Sequence, residues 1–261
     1  MDMRDISFGY TEYDADGERE IFDRSGKYKN MLMELHGSLM KPGAEKLLDS
    51  GEDELVLILL RGKITLNYAG STAALERGSF ITDGIRGLHV SRHTQVKVTA
   101  ETESEIVTIR TDNDRDFAPV LYTPENTAEN DACVGLWDGT AERHVRTAFD
   151  YSSMPQSNLV LGETIMPGGK WSGYVPHYHE QPEVYYFRME NPDGFGASFV
   201  GEEVFKIKDG SFCAINANLV HPQVAAPGYP IYYLWIIRHL DGNPWIRESC
   251  SNEKAHEWLL P

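Results

Sequence analysis

A repeat about half the length of the chain limits its possible folds most. Glu54-Leu55-Val56-Leu57-Ile58-Leu59-Leu60-Arg61-Gly62 and Glu183-Val184-Tyr185-Tyr186-Phe187-Arg188 both start on a carboxylate and run into β-rich residues. Gly78-Ser79-Phe80 returns as Gly210-Ser211-Phe212, and His89 and His221 each stand eleven residues beyond the leading glycine. A period this long is that of a duplicated domain, not of a solenoid unit. A length of 261 residues, 41% hydrophobic and 25% charged, suits one large or two small ordinary domains. The Asp/Asn-rich stretch from Thr111 to Asp131, with Pro119 and Pro124, is the expected crossing. The boundary is placed near residue 130, giving domains 1–130 and 131–261.

Within each half the pattern is that of strands. Ser91 to Val98, Glu105 to Arg110, Ser157 to Ile165, Ala197 to Ile207 and Ile231 to Ile237 are rich in β-branched residues. Turn signals such as Arg77-Gly78, Pro167-Gly168-Gly169, Asp209-Gly210 and Pro227-Gly228 separate them. Many short strands so punctuated predict an all-β chain of antiparallel sandwich or jelly-roll barrel type. One short terminal helix, Asn252 to Trp258 with Asn252 as its cap, is expected.

The halves differ where chemistry would occur. His177, His179 and Glu183 are separated by even numbers of residues, so on one extended strand they would face one interior. His221 joins them if its strand packs alongside. Three of the nine histidines fall in this pattern. A His3Glu set suits Mn, Fe(II), Ni, Co or Zn and leaves positions open for substrate oxygen. In the first half, Leu48 and Ser50 stand where the HxH pair would be, so that copy is expected to be metal-free, with His89 and His36 structural or interfacial.

Other features exclude functions. The net charge of −16 argues against nucleic acid and acidic membranes as partners. If the ligand is itself an anion, local Lys and Arg must hold it against the field of the whole chain. The start, Met1-Asp2-Met3-Arg4-Asp5, is not a signal peptide, and no apolar run is long enough to span a membrane; a cytoplasmic location is expected. Cys133, Cys213 and Cys250 are odd in number and form no C-x-x-C, which predicts reduced thiols, with Cys213 a core residue. Exposed strand edges would allow a homodimer.

HxH, three residues, Glu, then a Gly-led strand and His resembles the metal signature of cupins, and both copies carry the frame of it. Trp171-Ser172, Pro176-His177-Tyr178-His179, Glu183-Val184-Tyr185-Tyr186, Gly194-Phe195-Gly196, His221-Pro222, Ala226-Pro227-Gly228-Tyr229, Tyr232-Tyr233-Leu234 and His256-Glu257-Trp258 are similar to the 5-deoxy-glucuronate isomerase family of inositol catabolism. The short Glu180-Gln181-Pro182 spacer and Trp235 are nearer the related 5-keto-4-deoxyuronate isomerases of pectin breakdown. Asn216 and Asn218 stand where cupins usually have Pro and Gly.

The resemblance implies a bicupin of two jelly-roll barrels, the first degenerate and the second holding the metal. It also implies a metal-dependent aldose-ketose isomerase acting on a small deoxy sugar acid, with 5-deoxy-glucuronate giving 2-deoxy-5-keto-gluconate. A cupin oxygenase and a non-catalytic sugar-binding cupin are the competing classes. Beside the ligands, Glu183, Tyr186, Arg188 and Tyr233 are the catalytic candidates, and Glu180 and Lys170 further candidate bases. Arg188 is the arginine nearest the ligands in sequence and the candidate carboxylate partner. Parity turns Tyr185 and Phe187 inward with Glu183, and Tyr186 and Arg188 outward.

Overall fold

The computed structural model describes residues 7–260. Strands dominate, and the helical segments lying wholly within the described residues are four short 3-10 turns, Gly26–Met31, Leu136–Gly139, Arg247–Ser249 and Lys254–Leu259. No helix among the described residues is long and apolar enough to cross a membrane.

Two compact units form. One consists of Thr11–Thr127 with Met154–Asn158; the other takes Ala128–Ser153, the chain from Leu159 onward and the strand Phe8–Tyr10. Neither is one continuous stretch, because single segments pair with distant strands.

In the first unit the sixteen-residue strand Asp53–Tyr68 is the spine. Its first half pairs with Gly87–Val90 and Ser104–Asp112, and its second half with Ser71–Arg77 and Gln95–Ala100. The change of partners follows a register shift between Leu59 and Arg61, the bend by which one strand serves two sheets. Gly62 permits it: its φ is +104°, and a Cβ there would lie 2.5 Å from the Glu103 carbonyl oxygen. Inward Leu55, Leu57, Leu59, Ile64 and Leu66 meet Val90, Val96, Val98 and Ile106 in one core, the alternation that β-branched and leucine-rich strands impose.

In the second unit seven antiparallel strands run in the order Phe8–Tyr10, Ser211–Ile215, Glu183–Arg188, Ile231–Arg238, Leu159–Met166, Arg143–Phe149 and Ala128–Ala132. A four-stranded sheet comprises Trp171–Ser172, Gln223–Ala225, Gly196–Val200 and Glu203–Ile207. Tyr185, Phe187, Cys213, Ile231 and Tyr233 from the larger sheet share a core with Val200, Ile207 and Ala225 from the smaller. Two sheets packed face to face make the jelly-roll sandwich expected, and Cys213 is the buried core residue anticipated. No disulfide joins the three cysteines.

Local details depart from the sequence reading. Ala197 to Ile207 is two strands joined by a turn, not one. The expected terminal α-helix capped by Asn252 is a 3-10 turn, Lys254–Leu259, with Glu253 at its cap position. Asn252 instead pairs in a short ladder with His177, and the turn starts beyond it.

Candidate metal centre and cavity

Glu183 opens a strand hydrogen-bonded on both sides, by Ser211–Ile215 and by Ile231–Arg238, so its position is fixed by two ladders. His179, Glu183 and His221 each present a ligand atom, all within 4.8 Å of one another. The three residues are at most 5% exposed. His179 Nε2 lies 3.1 Å and His221 Nε2 3.2 Å from Glu183 Oε2.

These histidines do not share one strand with Glu183. His177–Tyr178 is a separate two-residue strand paired with Ser251–Asn252, and the chain bends through Glu180-Gln181-Pro182 before Glu183. Pro182 lacks the N–H that a continued ladder requires. The parity argument therefore fails across the spacer, and His179 reaches Glu183 by the bend. His177 falls outside the close group of three; it is half-buried and stands edge-on to His221 with ring centroids 4.9 Å apart.

The donor set fits a borderline divalent ion. His221 Nδ1 is 2.7 Å from the Leu219 carbonyl and His177 Nδ1 3.0 Å from the Val175 carbonyl. A carbonyl only accepts, so Nδ1–H donates and Nε2 keeps the lone pair, the orientation that metal-binding histidines acquire from their backbone partners. His221 Nε2 and His179 Nδ1 are buried nitrogens without a hydrogen-bond partner, and such atoms are costly unless a ligand satisfies them.

The electrostatics fit the same reading. Burial alone would raise the Glu183 carboxyl, but the His179 hydrogen bond and the His221 imidazole close beside it prevail and hold it at about 2. Burial lowers His177 to about 4, helped by the neighbouring His221. For His221 burial acts downward, and the Glu183 carboxylate reverses it, raising the imidazole.

A cavity of about 330 Å³ is lined by His177, His179 and Glu183. Tyr185, Tyr233 and Trp235 line it from the sheet, as the inward row of two adjacent strands. Gly162 makes room for Trp235: a Cβ at 162 would lie 2.2 Å from the indole ring. The Tyr233 hydroxyl is 2.6 Å from Ser172 Oγ and accepts from Gln223 Nε2 at 2.9 Å. Burial raises its phenol, against the charge of Arg143, and raises Tyr185 well above the ordinary range, reinforced by Glu183. Both phenols stay protonated at neutral pH and act as donors.

The remaining candidates lie elsewhere. Tyr186 and Arg188 point to the other face of their strand, as parity requires, yet both are buried rather than solvent-facing. Arg188 Nε donates to Asp209 Oδ1 at 2.8 Å, so it is engaged in an ion pair and does not line the cavity. Glu180 accepts from Asn243 Nδ2 at 2.6 Å and borders a different, smaller pocket. Lys170 binds the Gly139 carbonyl and Glu142. Sequence reasoning missed Arg143 and Arg247, which do line the cavity; nothing in their local sequence sets them apart. Glu183 is the only carboxylate among the lining residues, so the proton-handling groups there are imidazole, phenol and hydroxyl.

In the first unit His89 is fully buried and paired with Glu54 at 3.1 Å, the structural role anticipated for it.

A family model described as KduI/IolB family matches residues 11–259. The chain is 24% identical over 239 residues to a 5-deoxy-glucuronate isomerase of Bacillus velezensis, covering 85% of each, and 25% identical over 240 residues to that of Geobacillus kaustophilus, covering 81% of this chain and 80% of the relative. Among solved structures, an IolB-like protein from Salmonella typhimurium superposes with a TM-score of 0.84 at 20% identity, over 97% of this chain and 98% of that one. Lactobacillus farciminis oxalate decarboxylase gives 0.70 at 11% identity, over 98% and 90%. These likenesses establish the two-barrel cupin fold.

Proposed function

The chain belongs to the KduI/IolB family and is an isomerase, and we propose that it interconverts the aldose and ketose forms of a deoxy sugar acid, 5-deoxy-glucuronate giving 2-deoxy-5-keto-gluconate. The observation that carries this reading is the buried His179–Glu183–His221 group, of which His179 and Glu183 line a cavity of sugar-acid size. The names of the curated relatives supply the substrate; the cavity supplies the means.

The reaction moves one hydrogen from the hydroxyl-bearing carbon to the neighbouring aldehyde carbon, and the hydroxyl proton passes to the former aldehyde oxygen. Nothing is gained or lost, so no oxidant is needed. His179, Glu183 and His221 would hold a divalent ion, and His177, whose ring lies beside His221, would be the fourth ligand. When bound, that ion supplies Lewis-acid polarisation of the substrate's carbonyl and hydroxyl oxygens.

The chain's own groups do the rest. Tyr233, pinned by Ser172 and Gln223, offers a hydroxyl of fixed position to substrate oxygen. Tyr185 packs against it with ring centroids 4.8 Å apart, which limits how a sugar chain can lie. Trp235 and Trp245 narrow the cavity and displace water from the reacting carbons.

The test is turnover by purified, metal-loaded protein. Loss of 5-deoxy-glucuronate with appearance of 2-deoxy-5-keto-gluconate, abolished by chelation and restored by one divalent metal, is the expected result. Conversion of 5-keto-4-deoxyuronate instead would move the chain to the pectin-degrading branch. Inertness towards both, or oxygen consumption during turnover, would overturn the proposal.

A further inference from the structure

We infer that Arg143 is the specificity-determining residue of this cavity, gripping the carboxylate of the sugar acid while the other end of the molecule reaches His179, Glu183 and His221. The inference rests on the proposed sugar-acid substrate and assigns its recognition element.

Arg143 is a cavity-lining cation in a very acidic chain. Forty Asp and Glu face 24 Lys and Arg, and other arginines of the same sheet are paired: Arg146 Nη1 lies 3.4 Å from Glu163, and Arg188 Nε 2.8 Å from Asp209. Arg143 is half-buried, lines the cavity, and has no carboxylate within 4 Å among the described residues. Its guanidinium is nevertheless held. Nη1 donates to the Ala141 carbonyl at 3.0 Å and to Cys133 Sγ at 3.1 Å, and Nη2 to the Tyr174 carbonyl at 3.4 Å.

Two of those acceptors are neutral backbone carbonyls and the third is a sulfur, so they orient the cation and none is a carboxylate. A guanidinium has five N–H donors; among the described residues Nε–H and one hydrogen on Nη2 meet no acceptor. Two remaining donors on a positioned planar cation suit the two oxygens of a carboxylate. Glu183, the one acid lining the cavity, is already engaged by His179 and His221.

Arg247 lines the same cavity but is exposed, on a short 3-10 turn. A solvated guanidinium gains less from an anion than a half-buried one, so Arg143 carries the discrimination.

The experiment compares 5-deoxy-glucuronate with its primary amide, using metal-loaded wild type, Arg143→Met, Arg143→Lys and Arg247→Met. Arg143→Met should raise KM for the acid by about a hundredfold, the loss expected for a charge-assisted bidentate pair, with metal content unchanged. The preference for acid over amide in kcat/KM should collapse in that variant, return in part in Arg143→Lys, and persist in Arg247→Met. Calorimetric binding of D-glucuronate against D-glucuronamide reads the same preference without turnover and gives an answer if a variant is inactive. Wild type that fails to isomerise 5-deoxy-glucuronate but binds D-glucuronate in an Arg143-dependent way would sink the proposed reaction and sustain the anion site. An acid preference that survives Arg143→Met, or one lost in Arg247→Met, would overturn the assignment.

Discussion

Each unit contains a glutamate at the head of a central strand and a histidine eleven residues past a glycine, and the two pairs close to nearly the same distance, 3.1 Å for Glu54–His89 and 3.2 Å for Glu183–His221. What surrounds them differs. Glu54 is saturated: Oε1 accepts from Ser157 Oγ at 3.2 Å and Asn158 N at 2.8 Å, and Oε2 from Asn113 Nδ2 and the His89 imidazole, both at 3.1 Å. The other nitrogen of His89 is 3.4 Å from the Tyr122 hydroxyl. Glu183 has two imidazoles instead, and buried nitrogens of His179 and His221 go without a hydrogen bond. The same pair is thus a structural knot where protein donors fill its coordination sphere and a candidate metal site where they do not.

Removing one ligand should break this contrast most. His221→Ala is expected to lower turnover by about a thousandfold, corresponding to several kcal/mol of transition-state stabilisation, and to empty the site by metal analysis. His89→Ala should leave metal content unchanged; a loss there would mean the two pairs are not functionally distinct.

The first-unit pair should show its value in stability instead. Glu54→Ala breaks a fully buried, hydrogen-bonded pair and should cost about 3 kcal/mol, read as a lower denaturant midpoint. Normal turnover per bound metal at low temperature would confirm the division of labour.

A smaller effect is expected at the cavity wall. Tyr233→Phe removes the hydroxyl held by Ser172 and Gln223 and should reduce kcat about tenfold with little change in KM, the signature of a donor used mainly in the transition state. An equal rise in KM would make it a ground-state contact.

The mildest test is acid titration of chelator-treated protein. His177 is depressed from 6.5 to about 4, so the unfolded chain takes up its proton first and stability falls as pH drops through that window. Glu183 is depressed from 4.5 to about 2, so its contribution, complete above about 4.5, is lost towards 2. His177→Gln should remove the first limb and keep the second, measured as unfolding midpoint against pH.

Some of this was legible in residue order. The duplicated Glu and His frames, the alternation of strands and the missing HxH at Leu48 and Ser50 are local patterns, and local patterns survive in one dimension. Strand parity placed Tyr185 and Phe187 with Glu183 and turned Arg188 away, which the structure bears out. It failed at His177 and His179, because a proline-containing bend separates them from the strand it was applied to. Proximity in sequence pointed to Arg188 as the carboxylate partner, whereas the cavity wall brings Arg143, forty residues before Glu183, beside Tyr233.

Chain order alone determined that two β-barrels would form and that only the second could assemble imidazoles around a carboxylate, because periodicity and residue type are written locally. Tertiary structure decided which glutamate is filled by its own protein and which arginines line the cavity. Those outcomes depend on donors such as Ser157 and Asn158 arriving more than a hundred residues after Glu54, and hydrogen bonds respond to distance in space, not separation along the chain.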